Sequence, residues 1–298
     1  MRRLLLALLL LGASLSPAAA AGTIRVAYAG SMGVVMDHYL GPAFAQQNNV
    51  TYQGTGHGSY ALARLIAGRR LPTDVFVAIT PGPIEVLIKA GLIAQAEPVA
   101  STAMVIAYAP KSSFAAALAG GQPWWKVLES PGLRFGRTDP TTDPQGRNII
   151  FTMLLAERYY HQPGLAERIL GPTVNPAQIF TETSILSRLE AGQLDASSGY
   201  ESATRSHHLP FVQLPDEINL SNPAMDKEWY STVQFSLPGP DGKPHTVHTQ
   251  PLVFYAAVLK DAPDPALATK FVSFLLSPAG QAAFAETGYN KPKGPALP

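Results

Sequence analysis

Thr23-Ile-Arg-Val-Ala-Tyr-Ala-Gly-Ser31 and its echo, Gly54-Thr-Gly-His-Gly-Ser59, decide how this chain is read. The first is a short apolar run that ends in small residues and leads into a helical pattern over 32–40. The second is a glycine-rich turn that delivers a serine to the start of Tyr60-Ala-Leu-Ala-Arg-Leu-Ile-Ala-Gly68. In both, a serine stands where a helix begins. There its hydroxyl and the unpaired backbone N–H groups can converge on one anion. A serine that only caps its own helix is about as common. Two at equivalent ends of adjacent strands favour a binding role.

Working outward, the next strand is Val50-Thr-Tyr-Gln53, and Asp74-Val-Phe-Val-Ala-Ile79 is a third. Leu62, Leu65 and Ile66 have the spacing of a core-facing helical stripe, and a short helix is expected over 83–92. Strand alternating with helix at this spacing predicts a parallel sheet with crossover helices. Ligands in such sheets sit beyond the carboxyl ends of the strands, where both serine turns fall. The first helix is expected to kink at Gly41-Pro42. The apolar strand 103–109 reads as the crossing into a second domain, and 252–259 as the return. Between them lie a strand ending in Asp139-Pro-Thr-Thr-Asp143-Pro-Gln-Gly146, a long helix over 148–161, a helix over 184–190 and strands near 195–201 and 211–214. Gly239-Pro-Asp-Gly242 reads as a hairpin turn. Residues 265–276 form an amphipathic helix, with Leu267, Phe271, Phe274 and Leu275 on one face.

Met1-Arg-Arg3, the apolar run over 4–11 and an Ala-x-Ala site before Ala21 or Gly22 have the layout of a cleavable secretory signal. The apolar run is shorter than the roughly 20 residues a spanning helix needs. Without the two signal arginines the chain carries 20 Lys and Arg against 21 Asp and Glu. A near-neutral chain with no basic tract argues against nucleic acid and membrane surfaces as partners. An anion would have to be held by local dipoles. No cysteine is present, which removes disulfides, thiol nucleophiles and thiolate metal sites, and also the cysteine of a lipid anchor. The expected location is the periplasm.

Asp143 is the second signal. An Asx-turn and helix cap would account for it. A carboxylate beside an anion is repulsive in a dry cleft. It becomes useful when the guest carries a proton, or when its central atom accepts another oxygen ligand, as hexavalent molybdenum or tungsten does and sulfur in sulfate does not. Tyr200 could donate through its hydroxyl; Glu201 and Glu217 are further acidic candidates, though surface or capping roles are commoner for such residues. His207-His208 lacks a third ligand at suitable spacing. No G-x-S-x-G, H-E-x-x-H or Walker pattern occurs, so a secreted hydrolase using Ser31 or Ser59 is the weaker reading and no enzyme activity is expected.

Ala29-Gly-Ser31, Gly56-His-Gly-Ser59, Thr73-Asp-Val-Phe76, Thr138 to Gly146 and Leu214-Pro-Asp-Glu-Ile-Asn-Leu-Ser221 together resemble the molybdate- and tungstate-binding proteins of ABC importers. They are most similar to the branch that holds the metal in octahedral coordination with protein carboxylates. The resemblance implies a two-lobe α/β fold of the type II periplasmic binding proteins. Each lobe would be a mixed, mostly parallel sheet flanked by helices, with the ligand cleft between them. The expected division is 1–21 signal peptide, 22–103 with 257–298 as lobe 1, and 104–256 as lobe 2. It also implies that molybdate or tungstate is handed to a membrane permease; a monomer without a cofactor is expected. Carried over by position, Gly30, Ser31 and Ser59 would be first-lobe donors. Asp143 would be a carboxylate ligand to the metal, and Gln145 a backbone donor. The family often has Glu immediately before the tyrosine written here as Tyr200, and this sequence has Gly199. The second carboxylate would then come from Glu201 or Glu217, or coordination would stay tetrahedral. Other small anions, sulfate or an organic acid, are the alternative ligands.

Overall fold

A computed structural model describes residues 22–239 and 242–298. The expected signal peptide lies outside the described residues, as do two residues of the expected 239–242 turn. Among the described residues no helix is long and apolar enough to cross a membrane.

The first sheet grows from β1 (Thr23–Ala29), β2 (Thr51–His57), β3 (Val75–Ile79) and β4 (Glu97–Ser101), linked by α1 (Gly41–Asn48), α2 (Ser59–Ala67) and α3 (Pro81–Lys89). β3 is buried at every position, as a strand covered on both faces must be. Val75, Val77 and Ile79 pack into one apolar layer and Phe76 and Ala78 into the other. Between β1 and α1 the chain winds first as a 3-10 turn (Gly30–Met32) and then as a π-helix (Val35–Leu40). Pro42 falls in the first turn of α1, where a missing N–H is tolerated. The expected kink is thus a change of helix type, with the wider turn directly before the proline.

The chain crosses to the second sheet between β4 and β5 (Met104–Tyr108). This lobe continues through α4 (Ser113–Ala119), α5 (Trp124–Leu128), β6 (Phe135–Gly136), α6 (Pro144–Tyr159), α7 (Leu165–Leu170), α8 (Glu182–Glu190), β7 (Ala196–Tyr200), α9 (Glu201–Ser206) and β8 (Phe211–Gln213). β9 (Gln234–Pro238) and β10 (Pro244–His248) form a separate antiparallel pair, with Gly239 N–H donating to Lys243 O at 2.7 Å. β11 (Val253–Val258) then joins the first sheet whole, so the return falls ahead of Val253 rather than at 256/257. α10 (Pro265–Leu276) and α11 (Pro278–Glu286) complete that lobe.

The strand orders are β2-β1-β3-β11-β4 and β6-β7-β5-β8. Both sheets are mixed, with three parallel and four antiparallel pairings. Every antiparallel pairing involves β5 or β11, the strands by which the chain enters each lobe. The two crossings lie side by side. Thr102 N–H donates to Leu252 O at 3.0 Å, and Thr102 Oγ1 accepts from Ser202 N–H at 3.1 Å.

Candidate functional site

The parallel register of β1 with β2 and β3 brings three strand ends into one row, followed by Ser31, Ser59 and Thr80. Ser31 is the second residue past β1, and Ser59 opens α2. Both are buried, Ser59 completely, and neither hydroxyl has a hydrogen-bond partner. A buried hydroxyl without a partner is costly, so such groups mark places where something else is expected to bind. Tyr289 fixes the first turn by donating its hydroxyl to Ser31 O at 3.1 Å.

Facing these turns is the 139–146 segment of the second lobe. Asp143 is the N-cap of α6 and accepts from Gln145 N–H at 2.8 Å. Thr142 O accepts from Ala61 N–H at 3.1 Å, and Thr141 O from Arg64 Nη2 at 3.1 Å, so this turn is docked on α2. Gly58 allows that approach: a Cβ there would sit 3.0 Å from Thr142 O and 3.2 Å from the Asp143 carboxylate.

The second carboxyl comes from Glu182, the first residue of α8. Its Oε2 accepts from Gly30 N–H at 2.8 Å, and a Cβ on Gly30 would lie only 2.9 Å from it. Asp143 and Glu182 are both buried, and among the described residues neither has a Lys or Arg within ion-pair distance. Burial raises both acidities' midpoints above the ordinary range. At Asp143 the Glu182 charge adds to the rise, while Gln145 N–H opposes it. At Glu182 burial also dominates, and the Ser31 hydroxyl and the Gly30 and Ser31 amides oppose it. The Ser31 hydroxyl is thus close enough to steady the charge, yet its geometry is not that of a formed hydrogen bond. Two carboxyls buried against each other without a cation disfavour double ionisation, so the pair as a unit holds a proton more readily than free carboxylates do.

Tyr200 is fully buried and its hydroxyl accepts from Asn148 Nδ2 at 3.1 Å. Burial raises its acidity midpoint most, with the Asp143 and Glu182 charges adding to the effect. Gln145 is close by, but its N–H is committed to Asp143 and its side-chain oxygen accepts from Ser198 Oγ at 3.0 Å. The two acids expected as alternatives are elsewhere. Glu201 pairs with Arg205 along α9 at 2.8 Å. Glu217 is half-buried in the loop after β8, where its charge acts on Tyr160 and Tyr230. His207 pairs with Glu190 at 2.8 Å. Gly199 faces away from the α6 side of β7; a Cβ there would meet Thr204 Oγ1 at 2.9 Å and Ala107 beyond it.

Glu182 is the residue that sequence reasoning missed. In Thr181-Glu-Thr-Ser184 it looks like any acidic residue in a first helical turn, where it is favourable anyway. Only its reach across the cleft to Gly30 sets it apart.

Two lobes on a pair of adjacent crossings, with polar groups from both converging in the cleft, define a two-lobe binding protein. The chain belongs to the bacterial extracellular solute-binding proteins, whose sequence pattern matches residues 24–290. It is 33% identical over 208 residues to the molybdate/tungstate-binding protein WtpA of Pyrococcus abyssi, a match covering 63% of this chain and 59% of that protein. It is 28% identical over 289 residues to WtpA of Thermococcus kodakarensis, covering 89% and 80%. The match to the Pyrococcus relative thus spans less than two thirds of its length. The fold is also similar to that of the periplasmic molybdate-binding protein of Azotobacter vinelandii, with a TM-score of 0.58, 17% identity, and 91% and 100% of the two chains covered.

Proposed function

We propose that this protein captures molybdate or tungstate in the inter-lobe cleft and delivers it, outside the cytoplasm, to the membrane permease of an ABC importer. The observation that carries this reading is the pair of buried carboxyls, Asp143 and Glu182, set without a cation among the unpartnered hydroxyls of Ser31 and Ser59. A carboxylate 4 Å from one unit of ligand charge costs about 4 kcal/mol at the effective dielectric of a protein site. That is nearly three decades of affinity, so a cleft built for sulfate has no use for two carboxyls. The sign reverses when the guest's central atom is a hexavalent metal that takes carboxylate oxygens as ligands. Ser31, Ser59 and Tyr200 then serve the oxo groups. In this reading Glu182, supplied by α8, takes the part that the sequence left to Glu201 or Glu217. Neither serine hydroxyl is hydrogen-bonded to a base, as a nucleophile would need, which supports a receptor over a hydrolase.

Calorimetric titration of tungstate, molybdate and sulfate tests the proposal. Asp143→Ala and Glu182→Ala should each weaken tungstate about 100-fold, the loss of a well-placed charged ligand, while sulfate binding stays weak or improves. Equal losses for tungstate and sulfate, or none, would remove the coordinating role.

A further inference from the structure

A second cavity, of about 420 Å³, lies beside this site between the lobes. Its walls come from α2 and α3 of the first lobe, α6 of the second, and the overhanging strand β10 with the residues that follow it. Three features of this cavity are unaccounted for by oxyanion capture. Arg147 is the fourth residue of α6, a position where the helix dipole disfavours a cation. Its guanidinium is stacked 3.8 Å from the Tyr60 ring centroid and gives Nε–H to Pro140 O at 2.8 Å. Nη1 and Nη2 have no hydrogen-bond partner among the described residues, and no carboxylate lies within ion-pair distance. The free edge of this guanidinium, on the wall of the cavity, presents paired donors of the geometry that a carboxylate takes.

Thr80 is the second feature. It is 1% exposed, lines the cavity, and its hydroxyl has no partner. It holds φ +65° and ψ 156°, a strained conformation for a β-branched residue, at the N-cap of α3 without capping it. The third feature is charge. Lys89, His245 and His248 join Arg147 on the lining, against Glu85 as the acidic member, which sits 3.9 Å from Lys89. Tyr60, Val86 and Phe151 add apolar wall.

We propose that this cavity is a second binding site, for a small organic carboxylate whose head group is held by Arg147 and the Thr80 hydroxyl and whose body lies against Tyr60 and Phe151. It stands apart from the oxyanion reading, since none of the groups assigned to the metal is among its walls.

The test is thermal denaturation of the whole protein with succinate or phenylacetate at about 10 mM, with and without saturating tungstate. A site of millimolar affinity raises the melting temperature by about 2 °C or more in both conditions. Arg147→Gln should abolish that rise, and Thr80→Val, which keeps the shape and removes the hydroxyl, should reduce it. If the Arg147 variant fails to fold, Thr80→Val decides. The proposal is overturned if neither probe shifts the wild type, if the shift survives undiminished in the variant that folds, or if tungstate competes the probe away. Tungstate titrated into the same samples reports the oxyanion reading separately.

Discussion

Asp143 and Glu182 have their acidity weakened by folding, which inverts the usual dependence of stability on pH. A carboxyl whose folded midpoint is raised keeps its proton in the folded protein at pH values where the unfolded chain has lost it. Its contribution is complete below the unfolded values, 3.8 for Asp143 and 4.5 for Glu182, and fades as pH rises through the raised ones. Without oxyanion, the melting temperature should therefore carry a downward component as pH climbs from about 4 toward neutrality. Asp143→Asn, which still caps α6, should flatten that component and melt higher than wild type at pH 8. A variant with the wild-type slope would show that the pair is not buried together. Tungstate taken by the ionised pair displaces any shared proton, so calorimetry in buffers of different ionisation enthalpy should detect proton release. Ser31, Ser59 and Asp143 stand out as candidates in the sequence because turn residues at helix starts leave a local pattern. Glu182 was not, because its partner Gly30 is 152 residues away and nothing local distinguishes it from a dipole-friendly acid.

At the scale of elements, two turns from opposite lobes lie in close contact across the cleft. Gly58→Ala forces a Cβ to within 3.0 Å of Thr142 O, a backbone atom with little freedom to retreat. Tungstate affinity should fall about tenfold, while the fold, read by circular dichroism, is retained. An unchanged affinity would mean that the 58/142 contact is not kept in the bound form. Helix ends away from the cleft give a control. Asp264 caps α10 by accepting from Leu267 N–H at 2.9 Å, so Asp264→Ala should cost about 1 kcal/mol of stability and leave binding alone. Apolar periodicity marked α2, α6 and α10 well. The buried stripe of α10 runs through Ala268, Phe271, Val272 and Leu275, while the expected Leu267 and Phe274 lie partly buried at its edge and still pack on the core. β4 escaped notice since Glu97-Pro-Val-Ala-Ser101 has weak strand composition and owes its conformation to pairing with β11.

Across the whole molecule, the lobes are held together over the cleft by few contacts. Gly30 to Glu182, Ala61 to Thr142, Arg64 to Thr141 and the Arg147–Tyr60 stack each join one lobe to the other. A compact chain of this length has a radius of gyration of about 19 Å. Solution scattering from an Arg64→Ala, Glu182→Ala double variant should give a larger value than wild type, and identical curves would show that these contacts do not govern closure. The two-lobe plan itself was readable from the order of strands and from the two long connections between sheets. The balance of parallel and antiparallel pairs was not, since it depends on the direction in which each crossing strand enters, a long-range property with no local signal. Those crossings have one more implication. Thr102 and Leu252 are bonded to each other at the point where both strands pass, so the lobes hang from neighbouring pins instead of a loose tether. Bodies joined that way swing about essentially a single axis. One spin-label distance across the mouth therefore tracks the entire opening coordinate.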